Sequence, residues 1–143
     1  MRLGIRKAVM AVLVNTENKV LIGSSPRDGG YKFPQGGLEP DEDIIGGLKR
    51  ELIEELALTI FDDDIVEVYS TKVSYPYPND GYYIYDAQEL SIVKVKYHTK
   101  MTIIPQDDEF EDLHWVNPEE LPNFDFQFRL EAYQNALRIC KLL

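Results

Sequence analysis

Glu51, Glu54 and Glu55 stand at i, i+3 and i+4, a spacing that places three carboxylates on one face of an α-helix. The surrounding segment carries helical marks. Asp41-Glu42-Asp43 offers capping side chains and negative charge where a helix N-terminus favours them. Ile45, Leu52 and Leu56 recur at i, i+7 and i+11 as a separate apolar stripe able to pack on a core. Crowded carboxylates repel one another, and no basic residue is expected at their shared centre. A solvated acidic face is the usual meaning of such a run. The sharper meaning is a hard divalent cation, because Mg²⁺ takes oxygen ligands and keeps several waters for substrate phosphates. Gly46-Gly47 inside the same helix costs about 1 kcal/mol per residue relative to alanine. Close approach of a loop or phosphate would account for that pair, and so would simple tolerance.

The stretch from Gly36 to Leu58 reads GGLEPDEDIIGGLKRELIEELAL. It fits G-x5-E-x7-R-E-φ-x-E-E-x-G-φ, with φ apolar, through Gly36, Glu42, Arg50, Glu51, Leu52, Glu54, Glu55 and Leu58. This pattern resembles the Nudix box, the signature of hydrolases that cleave a diphosphate linked to another moiety. Ala57 stands where the family usually has glycine. A Cβ in the left-handed region there costs roughly 1 kcal/mol, so a differently built helix end is expected. Phe33-Pro34-Gln35-Gly36-Gly37 resembles the FPQGG lead-in of bacterial RNA 5′-pyrophosphohydrolases and related dinucleoside polyphosphate (diadenosine tetraphosphate) hydrolases. Glu109 to Val116 resembles that subgroup's glutamate-bearing loop and following strand, and Phe128 to Tyr133 its last-helix segment. Residues 76–90 diverge, being shorter, rich in tyrosine and acid, and without the relatives' basic stretch.

The resemblance implies roles position by position. Glu51, Glu54 and Glu55 match the metal-binding glutamates, and Gly36 the backbone carbonyl that joins them. Glu54 and Glu109 are the catalytic candidates, Glu109 as metal ligand or general base, although which acid of its run acts stays open. Glu42 and Arg50 match a pair that holds loop to helix. Phe128 matches an aromatic that stacks on the first base, with an ordinary core residue as the alternative. Arg6, Arg27, Lys32 and Arg129 are candidates for phosphate contacts, with Arg27 equally readable as an ordinary loop charge. His98 and His114 have no ligand spacing, and Trp115 reads as core. Mg²⁺ is the implied cofactor, with Mn²⁺ a substitute.

The rest of the composition bounds this reading. The 143 residues suggest one domain, spanning residues 1–143, with a substantial core. A net charge of −10 disfavours an extended nucleic-acid surface, since non-specific binding relies on Lys and Arg neutralising phosphates. Much of the excess lies in the box and in Asp107 to Asp112. The single cysteine, Cys140, permits no internal disulfide and suits a reducing, cytoplasmic setting. No transmembrane stretch is read. The assembly is expected to be a monomer or homodimer.

Periodicity places the elements that must position the acids. Strands are expected at Lys7–Val14, Lys19–Gly23, Ile65–Tyr75, Glu89–Tyr97 and Glu111–Val116, with turns at Asn15–Asn18 and Pro76–Gly81. A short helical start is expected at Pro118–Leu121 and an amphipathic final helix over Phe126–Leu143. Strands flanking one acidic helix and closed by another suit an α/β class, a three-layer α/β/α sandwich around a mixed sheet, which is the Nudix fold. Water attack is preferred, since no serine or cysteine nucleophile constellation is present. The leading reading is metal-dependent hydrolysis of a phosphoanhydride in a nucleotide 5′-polyphosphate, either an RNA 5′ end or a dinucleoside polyphosphate. A Nudix pyrophosphatase for another nucleotide, such as a nucleoside triphosphate or nucleotide sugar, is the alternative. A non-catalytic nucleotide-sensing module is a third.

Overall fold

The chain from Ala8 to Val14 is apolar at every position and buried at every position, which makes β1 (Ile5–Val14) a strand covered on both faces. Alternate residues divide between two cores. Ala8, Met10, Val12 and Val14 face one side, and Val9, Ala11 and Leu13 face the other. The computed structural model describes residues 2–143. Its sheet continues through β2 (Val20–Ser24), β3 (Tyr31–Lys32) and β4 (Gln35–Gly37), which lead to α1 (Ile44–Leu56). After it come β5 (Ile65–Val68), β6 (Val73–Pro76), β7 (Ala87–Lys96), β8 (Leu113–Val116) and α2 (Leu130–Ile139). The main strand order is β3-β2-β1-β7-β5, with β4 on β1, β6 on β7 and β8 on β2. β1 and β7 run parallel over their whole lengths and the other pairs are antiparallel. The sheet is therefore mixed. α1 covers one face through Leu48, Leu52 and Leu56, and α2 the other through Ala132, Tyr133, Ala136 and Leu137. This is the α/β/α sandwich expected.

Four local expectations are corrected. The apolar stripe of α1 runs through Leu48, Leu52 and Leu56, with Ile44 half-buried beside it; Ile45, in the first turn, is not part of that core. The strand expected over Ile65–Tyr75 is two strands, β5 and β6, which pair with successive stretches of the same edge of β7. The final helix is shorter than expected. Gln127 has a φ of 56°, so the chain makes a 3-10 turn at Gln127–Arg129 before α2 begins. The helix end at Ala57 is not built differently: Ala57 adopts the left-handed conformation, φ 51° and ψ 34°, that glycine usually fills.

The glycine pair inside α1 also has an explanation. A Cβ on Gly47 would collide with the Leu38 side chain and crowd Glu42 Oε1 at 3.1 Å. The loop before the helix thus packs directly against the helix backbone. Asp43 caps this end, its carboxylate accepting the Gly46 N–H at 2.7 Å.

Because Ala57 carries a Cβ at positive φ, Ala57→Gly should stabilise the protein by about 1 kcal/mol, after allowing for the freer unfolded chain. Denaturant unfolding of the two proteins checks this. A destabilised variant would mean that the helix end is held by its side chain instead.

Candidate functional site

The lead-in to α1 and the helix itself are locked together by one guanidinium. Arg50 Nε and Nη2 donate to the two oxygens of Glu42 at 2.6 and 2.7 Å, and Nη2 also donates to the Gly37 carbonyl at 2.9 Å. This fork-to-fork pair holds the Glu42 carboxyl down to about 2, chiefly through the Arg50 hydrogen bonds. Nη1 turns to the acidic face, donating to Glu51 at 2.8 Å and Glu54 at 3.3 Å. The expectation that no basic group reaches the carboxylates is therefore corrected. Arg50 folds back along its own helix and partly neutralises two of them.

Glu55 is different in kind. It is 3% exposed, and its Oε1 accepts the Gln35 backbone N–H at 2.9 Å. Burial pushes its carboxyl well above the ordinary range, and repulsion from Glu51 and Glu109 adds to the shift while Lys32 opposes it. Burial also raises Glu51. All three acids lie in the last two turns of α1, where the helix dipole is negative and no basic residue occupies the last turn. Apart from the Arg50 contacts to Glu51 and Glu54, nothing in helix stability favours acids there.

Glu109 joins them from a distant loop. The N–H groups of Ile104 and Gln106 donate to the Leu56 and Glu55 carbonyls at 2.8 and 3.0 Å, capping the C-terminal end of α1. The chain then turns through Asp108, at φ 68°, and presents Glu109 to the cleft. Arg27 holds its two oxygens at 3.4 and 3.3 Å. Arg27 also lies 3.8 Å from Asp28, which binds Lys32 at 2.8 Å. Burial raises Asp28, but Lys32 and Arg27 outweigh it and hold the carboxyl below its usual value. Glu111, two residues along, is exposed and does not line the cleft.

A cleft of about 540 Å³ is lined by Glu51, Glu54 and Glu109 together with Tyr75, Tyr77, Tyr82, Tyr83 and Tyr85. Arg6, Arg27, Lys32 and Arg129 all border it. Arg6 donates to Gln88 at 2.9 Å and packs over Gly37, where a Cβ would come within 2.6 Å of its Nη2. Arg129 is 1% exposed; its recorded partners are the neutral Gln127, at 3.0 Å, and Tyr75 and Tyr83, each at 3.4 Å. Phe128 is not brought to this cleft. The Arg129 guanidinium covers its ring at 4.2 Å, Tyr75, Tyr77 and Tyr83 pack edge-on around it, and it lines neighbouring cavities.

Sequence reasoning missed the polar floor of the cleft. Tyr75 accepts hydrogen bonds from Gln35, at 2.9 Å, and from Gln88, and Tyr133 donates to the Gln35 side chain. Register gives the reason: Gln88 is the cross-strand partner of both Arg6 and Tyr75. The apolar–polar alternation of Val73, Ser74 and Tyr75 was the available signal, and the structure places Val73 and Tyr75 inward.

Among the described residues no three acidic, histidine or cysteine side chains converge closely enough to hold an ion by themselves. Arg50 draws on Glu51 and Glu54, while the Gln35 N–H holds Glu55. The residues nonetheless fit a hard divalent cation. All the donors are oxygens, a nearly dry carboxylate lies between acidic neighbours, and the missing side chain of Gly36 leaves the space that the Glu51 carboxylate fills.

Comparison with known proteins agrees with this architecture. An RNA pyrophosphohydrolase from Francisella tularensis subsp. mediasiatica is 27% identical over 146 aligned positions, covering 96% of this chain and 94% of that protein. A MutT protein from Methanosarcina mazei superposes with a TM-score of 0.76 at 16% identity, over 99% of both chains. An Ap4A hydrolase from C. elegans does so with a TM-score of 0.70 at 16% identity, over 95% of both. The NUDIX domain family model matches residues 4–136, and the chain belongs to that family.

Proposed function

We propose that this protein is a divalent-metal-dependent pyrophosphohydrolase acting on a phosphoanhydride of a nucleotide 5′-polyphosphate, an RNA 5′-triphosphate end or a dinucleoside polyphosphate. The observation that carries this reading is that Glu51, Glu54 and Glu109 line one cleft with Arg6, Arg27, Lys32 and Arg129, while the buried Glu55 carboxyl feels the charge of Glu51 and Glu109 from behind it. The Francisella relative's name points to the same substrate class. A sensing module has no need of a buried carboxylate among acids, and this disfavours the non-catalytic reading.

Glu51, Glu54, Glu55 and the Gly36 carbonyl would hold Mg²⁺. When bound there, the cation would supply charge neutralisation at the phosphates and make water more acidic. Arg6, Arg27, Lys32 and Arg129 orient the polyphosphate, Arg27 exchanging its contact with Glu109 for one with phosphate. Glu109 then accepts the proton of the attacking water. The water oxygen bonds to phosphorus, the bridging P–O bond breaks, and its electron pair leaves with the departing phosphate. Glu42 and Arg50 keep the loop and helix in register throughout.

Glu54→Gln and Glu55→Gln should each lower turnover by orders of magnitude with the fold intact, as judged by circular dichroism and Mg²⁺ titration. Activity like wild type in both variants would remove this helix from the catalysis. Glu109→Gln should lower kcat by about 10²–10⁴-fold with KM changed far less, while Glu111→Gln leaves both near wild type. Small, equal effects would mean that the acidic run is only solvated surface.

The buried Glu55 also gives a pH signature. Its folded-state pKa is raised above the ordinary 4.5, so its protonated form suits the fold. That contribution is complete below 4.5 and is lost as pH rises through the folded value. Metal-free protein should therefore melt at a lower temperature at about pH 8 than at about pH 5. Mg²⁺ should offset the loss, and Glu55→Gln should flatten the slope in the metal-free protein. An unchanged slope in that variant would assign the effect to other groups.

A further inference from the structure

The segment 77–86, between β6 and β7, carries four tyrosines. Tyr83 stacks on Tyr77, with centroids 4.4 Å apart and planes at 19°. Tyr82 then meets Tyr83 edge-on at 4.8 Å and 87°. The Tyr82 hydroxyl crosses to the opposite wall, within hydrogen-bond reach of Asp28 Oδ1 at 3.2 Å and the Arg27 carbonyl at 3.3 Å. Its backbone N–H is fixed as well, donating to Asp80 at 3.0 Å. The ring is thus held at its base, edge and tip. Yet it is 56% exposed, and it borders the cleft.

A large aromatic held this way gains little for the fold, because most of its surface stays in water. What it gains is pre-organisation: a partner stacking on it need not freeze a mobile side chain. Its position is also fixed relative to the reacting end of the cleft. Asp28 binds Lys32, and Arg27 binds Glu109, so the loop that receives the Tyr82 hydroxyl also carries the partners of two site residues. Phe128 does not line this cleft: Arg129 covers its ring, three tyrosines pack edge-on around it, and it shares with Tyr82 the lining of an adjoining cavity instead.

We propose that Tyr82 is the nucleobase platform of this cleft, a specificity-determining residue against which the heterocycle of a nucleotide polyphosphate stacks while its phosphates lie toward the carboxylates. This rests on the reading above that the substrate is a nucleotide polyphosphate, and it adds which feature of that substrate is selected. Every base has a π-face, so the platform distinguishes substrates with a base from those without one, and not one base from another.

The test is calorimetric titration of the full chain, with Mg²⁺ present, by α,β-methylene ATP and by inorganic tripolyphosphate, which has no base. Tyr82→Ala should weaken the nucleotide about tenfold to a hundredfold, the stacking range, and leave tripolyphosphate within about twofold. Tyr82→Phe, which keeps the ring, should bind the nucleotide within about threefold of wild type. Equal weakening of both ligands by Tyr82→Ala, weakening of neither, or a Tyr82→Phe loss as large as that of Tyr82→Ala would each overturn the proposal. Wild-type protein that binds the nucleotide through Tyr82 but hydrolyses no nucleotide polyphosphate would overturn the catalytic reading and leave the platform standing. Wild-type hydrolysis with an unselective Tyr82→Ala would do the reverse.

Discussion

The charge that this fold cannot solvate is the Glu55 carboxylate, and much of the site is arranged around it. Contact between α1 and β4 takes it almost wholly out of water, and its recorded direct partner is the Gln35 N–H. An isolated buried carboxylate is so unfavourable that such groups either shift toward the neutral form or acquire a counter-charge. Here the neighbours make matters worse, since Glu51 and Glu109 repel it and the helix dipole opposes it. Lys32 acts only through space. An arrangement of this kind stores an affinity for positive charge that Lys32 only partly offsets.

The remaining contacts keep the acids from relaxing away. Arg50 binds Glu42 and the Gly37 carbonyl with one side of its guanidinium and Glu51 and Glu54 with the other, so the loop, the helix and the acidic face move as one body. Gly36 and Gly37 allow this closeness, because the Glu51 carboxylate and the Arg6 guanidinium lie where their side chains would be. Behind them, Gln35 is anchored by Tyr75 and Tyr133, and Tyr133 belongs to α2 on the far face of the sheet. Both outer layers of the sandwich thus bear on β4 and meet at Gln35, which accepts from Tyr133 of α2 and donates its backbone N–H to Glu55 of α1.

Backbone periodicity and helix faces were legible in the sequence, and the contacts of individual side chains were not. Carboxylates at i, i+3 and i+4 reveal a helical face whatever surrounds them, and the apolar run of β1 reveals a strand covered on both sides. The Asp43 cap could be read for the same reason. Sequence reasoning failed where side-chain rotamers, the ends of elements or strand register decide which groups meet. Arg50 was paired correctly with Glu42, but its reach back to Glu51 and Glu54 depends on rotamers that spacing does not reveal. Ile45 matched the helical period of the core yet lies in the first turn, outside it. Phe128 matched a motif, but Arg129, the next residue, covers its ring. The Tyr75, Gln88 and Arg6 cluster arises from strand register between three separate strands, which no single-segment pattern encodes.

The capping of α1 by residues 104–106 has a consequence for how such a protein tolerates change in length. Glu109 owes its place to two N–H groups that sit on the Leu56 and Glu55 carbonyls, and the turn that delivers it begins only after them. Upstream, Thr99 and Lys100 are exposed and lie between the end of β7 and this anchor. Residues added or removed at that turn alter the path leading to the anchor and leave the anchor itself in register. The acid is indexed to the helix and not to the strand that precedes it, so the connecting loop is free to drift in length without moving the chemistry.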